Sequence, residues 1–421
     1  YLGCGKFESV QACSTIQIHA NSGLLLMCPM ISHFAESTTG SSVVEFRRMA
    51  DALEAKGITI VDFGIGEPDF EAPPIVSEAL IVAIESGKGK YVDPSGLPEL
   101  QKAIAEFEKT QHGLIVDPSQ VVVTTGSVGA LSLASRALFD PGDEVLLLEP
   151  CYGPYRNLTR LTGAVPVGVA MPREKGRFIV DPDRLAAAIT AKTKAVIVNT
   201  PWNPTGRVLT RPELHAIADI AERHDLWILS DEVYSELVYG DNYHVSIGGL
   251  SKDIAARTVI LNSVSKTFAM TGWRLGYCLV PTSLAPVLSR INHLTTRCAT
   301  SFVQHAAITA YTDGRPHLET MRGVYAERRK TITAGLERIE GMRCPLPEGT
   351  FYAFADFPEN WGESREIAQY LLAEGGIVVT PGSAYGKVSQ SNLRFSFATS
   401  TDVIEEGLTR LAQLLPLSNR T

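Results

Sequence analysis

The chain has 421 residues, 45% of them hydrophobic, which is enough apolar material for a large core or for two or three domains. Its formal net charge of −8 argues against a nucleic-acid partner, which would call for a basic face, and no apolar run is long enough to cross a membrane. The seven cysteines are odd in number and contain no CxxC pair, so neither a metal site nor a disulfide framework is expected, and reduced thiols in a cytoplasmic protein are the better reading.

Residues 1–42 read as an N-terminal extension. Position 1 is not Met, and only Lys6 and His19 are basic before the short apolar run at residues 23–27. That makes a poor signal peptide. The first 29 residues are read as partly foreign to the natural chain, with Met27 or Met30 as its start. Val43 to Lys56 has apolar residues at helical spacing and stops at Gly57, a natural helix end. Ile58 to Val61 reads as a short strand. The stretch from Gly64 to Asp69 is turn-rich; its glycines allow close backbone approach to a ligand, and an ordinary loop fits it equally well. Pro73 and Pro74 open a helix running to Gly87. A polar loop around Tyr91 then leads into another helix near Pro98.

Val121 to Thr125 reads as a buried strand, followed by Gly126, Ser127, Val128 and an apolar helix. Strand, small residues and helix together put bare N–H groups on an anion, although this is not GxGxxG. Four more buried runs follow at 144–148, 195–199, 227–230 and 258–261, separated by helical stretches such as 210–224. The alternation predicts an α/β fold, with a mainly parallel sheet covered by helices. Ligands of such sheets gather at the carboxyl ends of the strands. Gly126, Tyr152, Asn203, Asp231 and Lys266 all lie just past one. After Gly276 come a strand at 277–280 and helices through the 330s. A smaller α+β region follows, with strands at 351–356, 377–380 and 393–397 and a closing helix from Val403.

The chemistry gathers at these strand ends. Desolvation lowers a lysine's pKa, and the free amine can form a Schiff base with an aldehyde cofactor. Taken alone, Lys266 fits a strand-end lysine snorkelling to solvent better. Ser263, Ser265 and Arg274 would suit a phosphate. Asp231 ends an apolar strand, where a carboxylate is costly unless it meets a cation or caps a helix; a protonated pyridine nitrogen would be such a cation. Tyr234 and Asn203 could bind a ring hydroxyl, though Asn203 could also cap a turn. Tyr152 offers a face for stacking or a core side chain. Arg394 lies in an apolar strand with no partner evident in sequence, and an external carboxylate would satisfy it. His244, His293 and His305 have no metal-ligand spacing and read as structural.

SVSKTFAMTGWR at 263–274 carries a resemblance, joined in order by GEPDF (66–70), YVDPSGLPEL (91–100), NPTG (203–206), SDEVY (230–234) and LRFSFATS (393–400). From about Val43 to Leu415 the chain resembles the fold-type I pyridoxal-phosphate enzymes, specifically class I/II aminotransferases of the aspartate aminotransferase kind. The resemblance implies catalytic roles for Lys266 (Schiff-base lysine and proton shuttle), Asp231 (pyridinium partner) and Tyr234. It places Tyr234 and Asn203 at the ring oxygen and Tyr152 in the stacking position. Gly126, Ser127, Val128, Ser263, Ser265 and Arg274 fall at the phosphate of pyridoxal 5′-phosphate. Tyr91 falls where a tyrosine reaches the neighbouring subunit's phosphate, implying a homodimer with sites at its interface. Gly66, Asn203 and Arg394 fall at the substrate, with Arg394 on its α-carboxylate. Residues 62–310 would form the large cofactor-binding domain, and 43–61 with 311–421 the smaller one. Val128 stands where some relatives acting on acidic amino acids have a lysine; Arg297 is the first candidate to replace it. The expected activity is amino transfer from an L-amino acid, neutral or aromatic, to a 2-oxo acid by a ping-pong cycle. The alternative is a C–S lyase or other β-eliminating enzyme on the same fold.

Overall fold

The buried runs expected to be strands lie side by side in one sheet. The structure is a computed structural model that describes residues 31–38 and 40–416; the readings of residues 1–29 and of Met30 as a start lie outside them. Tyr1–Thr38 is a separate short unit whose described residues hold one helix, His33–Ser37, with Ser32 Oγ accepting from the Ala35 N–H at 3.3 Å. Thr39–Thr421 forms the other unit.

In chain order its strands are β1 (Val61–Asp62), β2 (Val121–Thr124), β3 (Glu144–Glu149), β4 (Val165–Ala170), β5 (Arg173–Glu174), β6 (Arg177–Phe178) and β7 (Thr193–Asn199). There follow β8 (Trp227–Asp231), β9 (Thr258–Ser263), β10 (Gly276–Leu279), β11 (Tyr352–Asp356), β12 (Ile377–Val378), β13 (Thr380–Pro381) and β14 (Asn392–Ser396). The main sheet runs in the order β2-β10-β9-β8-β7-β3-β4. β10 is antiparallel to both its neighbours, and the other pairs are parallel.

Alternation along each central strand divides the core in two. Val145, Leu147, Ala195, Ile197 and Leu229 face one side, with Ala130, Leu131 and Ala134 of the helix Gly126–Leu138. Leu146, Leu148, Val196, Val198 and Ile228 face the other, with Leu214, Ile217 and Ala218 of the helix Arg211–Arg223. That second helix starts where the sequence directs: Thr210 and Glu213 form a reciprocal capping box, and Pro212 sits in the first turn. β4 was not expected, because Pro166 and Gly168 weaken its pattern; it is tolerated as the edge strand.

The remaining strands form a three-stranded antiparallel sheet, β11-β14-β13, a parallel pair, β1-β12, and an antiparallel pair, β5-β6. Two expectations shift here. The strand expected at 377–380 is split at Val379, because the chain leaves β1 and joins β14. The strand expected at 58–61 begins only at Val61, where pairing with Ile377 starts. Phe63, Phe351, Phe395 and Phe397 fill this core, closed by the helices Arg315–Glu337 and Thr401–Leu414. The four described cysteines are free, and among the described residues no helix is long and apolar enough to cross a membrane.

Candidate active site

The carboxyl ends of β8 and β9 lead into a cleft of about 480 Å³ lined by Gly66, Ser127, Val128, Tyr152, Ser265, Lys266 and Arg274. β9 ends at Ser263, whose Oγ accepts from the Ser265 N–H at 3.3 Å and so starts the one-turn helix Val264–Thr267. That turn carries Lys266 into the cleft. Its Nζ donates to the Gly66 carbonyl and stands 5.5 Å over the Phe351 ring. Desolvation lowers its pKa to about 8; Glu67 pulls the other way, and Arg394 and Arg274 add to the fall. The amine is therefore far closer to its nucleophilic form at neutral pH than a surface lysine.

Asp231 ends β8 and is buried. Burial raises its pKa to about 6, against the Tyr155 hydroxyl, which donates to Oδ2 at 2.6 Å, and the Val233 N–H, which donates to Oδ1 at 3.3 Å. Asn199 ties this strand end to the next loop: Nδ2 donates to the Asp231 carbonyl at 2.9 Å, and Oδ1 accepts from the Asn203 N–H at 2.7 Å. Tyr155 and Asn199 escaped the sequence reading. The Tyr152/Tyr155 spacing was the available signal, and the two rings meet edge to face at 5.5 Å.

Tyr234 and Asn203 are buried around the cleft rather than lining it. The Tyr234 hydroxyl lies 3.1 Å from that of Tyr352, and Asn203 Oδ1 accepts from Arg394 Nη1 at 3.3 Å. Arg394 also donates through Nη2 to the Gly64 carbonyl at 3.0 Å and to Thr380 Oγ1 at 3.2 Å. Its guanidinium lies 4.0 Å from the centre of the Tyr352 ring, and its buried Nε has no hydrogen-bond partner among the described residues. All three of its hydrogen-bond partners are neutral, so the charge still calls for an anion.

The fit to a phosphate can be tested at Gly126. Its φ of +78° favours glycine, and a Cβ there would lie 2.7 Å from Arg274 Nη2. It begins a 13-residue helix that Thr125 does not cap with its side chain. The positive helix end and the guanidinium thus face one another, a juxtaposition that an anion relieves. Ser127 and Ser265 border the same space, whereas Ser263, whose Oγ accepts from the Ser265 N–H, does not line the cleft.

Tyr91 is not brought to this cleft. It is 78% exposed and lies under the Arg297 guanidinium at 5.2 Å; Arg297 also meets His293 Nε2 at 3.3 Å. Glu67, unforeseen in the sequence, lines the cleft and accepts from Thr271 Oγ1 at 2.7 Å. His244 pairs with buried Glu232 at 2.9 Å, as a structural histidine would.

A parallel sheet whose carboxyl edge offers a desolvated amine, a buried carboxylate and an anion cradle is the framework of a fold-type I pyridoxal-phosphate enzyme. The chain belongs to the family aminotransferase class I and II, whose model matches residues 58–411. It is 37% identical to the aspartate aminotransferase of Bacillus subtilis over 382 residues, covering 90% of this chain and 96% of the relative. It is 37% identical to the probable aspartate/prephenate aminotransferase of Aquifex aeolicus over 390 residues, covering 91% and 97%. The Thermus thermophilus aspartate aminotransferase with maleate superposes with a TM-score of 0.87 at 34% identity, covering 92% of this chain and 100% of that one. The protein is a transaminase, a transferase of nitrogenous groups, and enzymes of its family use pyridoxal 5′-phosphate.

Proposed function

We propose that the protein transfers the amino group of a neutral or aromatic L-amino acid to a 2-oxo acid in a ping-pong cycle, with Lys266 as its nucleophile and proton carrier. The observation that carries this reading is the Lys266 amine, drawn down to about 8 inside a cleft shared with Arg274 and Tyr152. Bound there, pyridoxal 5′-phosphate supplies an aldehyde for amine capture and an electron sink. Asp231 would hold a proton on the ring nitrogen. Tyr234 and Asn203 would bind the ring oxygen, and Tyr152 would stack on the ring. The N–H groups after Gly126, with Ser127, Ser265 and Arg274, would take the phosphate. Arg394, Asn203 and the backbone at Gly66 would bind and orient the substrate's carboxylate, leaving Nζ of Lys266 to move the proton at Cα. In this reading residues 62–310 form the cofactor-binding domain and 43–61 with 311–421 the smaller one.

The donor class rests on Val128, which lines the cleft at 40% exposure, and on Glu67, which lines the same cleft. An apolar side chain and a carboxylate suit a neutral or aromatic donor better than an acidic one. A second reading has its own support: Arg297 is stacked on exposed Tyr91. If Tyr91 serves a second copy of the chain in a homodimer, Arg297 travels with it and could meet an acidic side chain there. The names of the Bacillus and Aquifex relatives, one for aspartate and one for aspartate and prephenate, keep that reading open. The test is a panel of twenty amino acids with 2-oxoglutarate or pyruvate as acceptor. Strong preference for aspartate sinks the neutral-donor reading. Release of pyruvate and ammonia in place of amino transfer indicates β-elimination.

A further inference from the structure

One short loop holds both Lys266 and Arg394. The Lys266 Nζ donates to the Gly66 carbonyl, and Arg394 Nη2 donates to the Gly64 carbonyl at 3.0 Å. The two cations come from different elements, Lys266 from the turn after β9 and Arg394 from β14, yet their acceptors stand on one stretch that follows β1. Phe63 anchors the start of that stretch: its N–H donates to the Val378 carbonyl at 2.9 Å, and its carbonyl accepts from the Ser396 N–H at 2.7 Å. The backbone then leaves the strands, and Asp62 makes the turn. Its Oδ1 accepts from the Gly64 N–H at 2.7 Å. An aspartate that bonds the N–H two residues on fixes a turn the backbone alone does not specify. Asp62 Oδ2 also accepts from Arg47 Nη1 at 3.0 Å. Arg47 is 42% exposed and shared with Asp51 and Glu54, so that ion pair adds little. The bond to Gly64 bears on the cleft, because the same residue's carbonyl receives Arg394. Space there is tight: a Cβ on Gly64 would lie 2.9 Å from Val378 Cγ1. Asp62, Gly64 and Gly66 line the same cleft as Lys266.

We infer that Asp62 is a positioning residue: by fixing the turn at Gly64 it sets where the Gly64 and Gly66 carbonyls stand, and through them the Arg394 guanidinium and the Lys266 amine. The inference deepens the amino-transfer reading and rests on it for the roles of those two cations. A carboxylate clamp and a proton carrier tied to one loop keep a fixed spacing, so a displaced loop misplaces both at once. Misplacing the clamp weakens substrate binding, and misplacing the amine slows proton movement at Cα.

The test compares Asp62→Ala, which removes the acceptor, with Asp62→Asn, which keeps an oxygen for the Gly64 N–H and discards the charge. In the holoenzyme with one good donor, Asp62→Ala should raise KM about threefold and lower kcat about threefold, while Asp62→Asn stays within about twofold of wild type in both. Affinity for pyridoxal 5′-phosphate should change less than about twofold in either variant, because Arg274 and the helix end at Gly126 are untouched. A merely structural defect would lower the fraction of active enzyme and leave KM as it was. The second readout needs no turnover. In the cofactor-free protein, acylation of Lys266 should be half-maximal near pH 8. A carbonyl acceptor favours the ammonium, so its displacement in Asp62→Ala should move that midpoint down by about half a pH unit, and Asp62→Asn should leave it in place. Equal downward shifts in the two variants would show that the Asp62 charge acts directly, and overturn the turn assignment; so would a loss of activity in Asp62→Asn as large as that in Asp62→Ala. If the wild type performs no amino transfer and the midpoint still moves in Asp62→Ala alone, the functional reading fails and the positioning role stands. If transfer occurs and Asp62→Ala changes neither KM nor the midpoint, the positioning role fails alone.

Discussion

The Tyr155 hydroxyl donates to Asp231 Oδ2 at 2.6 Å, and both residues are buried. This bond opposes the burial that lifts the Asp231 pKa to about 6. Hydrogen bonds to a charged group contribute about 1.5–3 kcal/mol. In Tyr155→Phe the carboxyl should therefore titrate higher and be less ionised at neutral pH. We expect kcat/KM to fall about tenfold at pH 7 and to recover in part by pH ~8.5, where the carboxylate forms again. The measurement is the pH profile of kcat/KM; superposable profiles for the two proteins would show that Tyr155 does not act through Asp231.

Lys266 is shifted in the opposite direction to Asp231. Its pKa is lowered to about 8 by desolvation, below the ordinary lysine value of about 10.4. Between those values the unfolded chain binds more protons at this site than the folded one. The cost of burying the ammonium is thus present in full below pH 8, and its relief raises stability as pH climbs through that window. Competitive labelling of the cofactor-free protein with an acylating reagent, read by mass spectrometry of the Lys266 peptide, should show half-maximal reactivity near pH 8. A midpoint near pH 10 would mean that the amine is not desolvated in solution.

Lys266→Ala should abolish turnover yet leave cofactor binding. Arg274 and the uncapped helix end at Gly126 provide anion contacts that do not involve the lysine, and Asp231 remains as a buried carboxylate. Equilibrium dialysis of pyridoxal 5′-phosphate with the variant reads the binding, and steady-state amino transfer reads the chemistry. Turnover near the wild-type rate would remove Lys266 from the mechanism.

What could be read in the sequence and what could not differ by the range of the interaction. Asp231 stood out because a carboxylate closing an apolar strand is physically odd at its own position, and Lys266, three residues past the end of β9, stood out by its neighbours Ser263, Ser265 and Arg274. The partners that define them are distant: Tyr155 meets Asp231 across 76 residues, and Arg394 meets Gly64 across 330. No local pattern encodes such contacts. Arg394 therefore read as lacking a partner, although Asn203, Gly64 and Thr380 hold it. The same limit applied to the fold. Strands β7 and β8 announced themselves as apolar runs, whereas β4 carries Pro166 and Gly168 and is a strand only because β3 pairs with it. The outward display of Tyr91 under Arg297 likewise depends on a loop conformation, with Arg297 at φ 71°, that composition does not specify.

The last prediction separates the clamp from the side-chain pocket. Arg394 is buried among neutral partners, its Nε unpartnered among the described residues, while Val128 is exposed in the cleft. If Arg394 holds the carboxylate common to all substrates, Arg394→Ala should penalise every donor alike. A charge-assisted contact in a closed site is worth roughly 2–5 kcal/mol, or about two to four decades in kcat/KM. Arg394→Lys should restore only part of this, since an ammonium cannot reproduce the planar fork that now reaches Asn203, Gly64 and Thr380 together. Val128→Lys should act on one class only, placing a cation among Ser127, Tyr152 and Glu67 and raising kcat/KM for aspartate relative to a neutral donor. The measurement is kcat/KM for aspartate and for one good neutral donor in wild type and in each of the three variants. An Arg394→Ala penalty confined to one donor contradicts the common clamp. A wild type that already prefers aspartate contradicts the pocket argument from Val128 and turns attention to Arg297, held over Tyr91 on the outer surface.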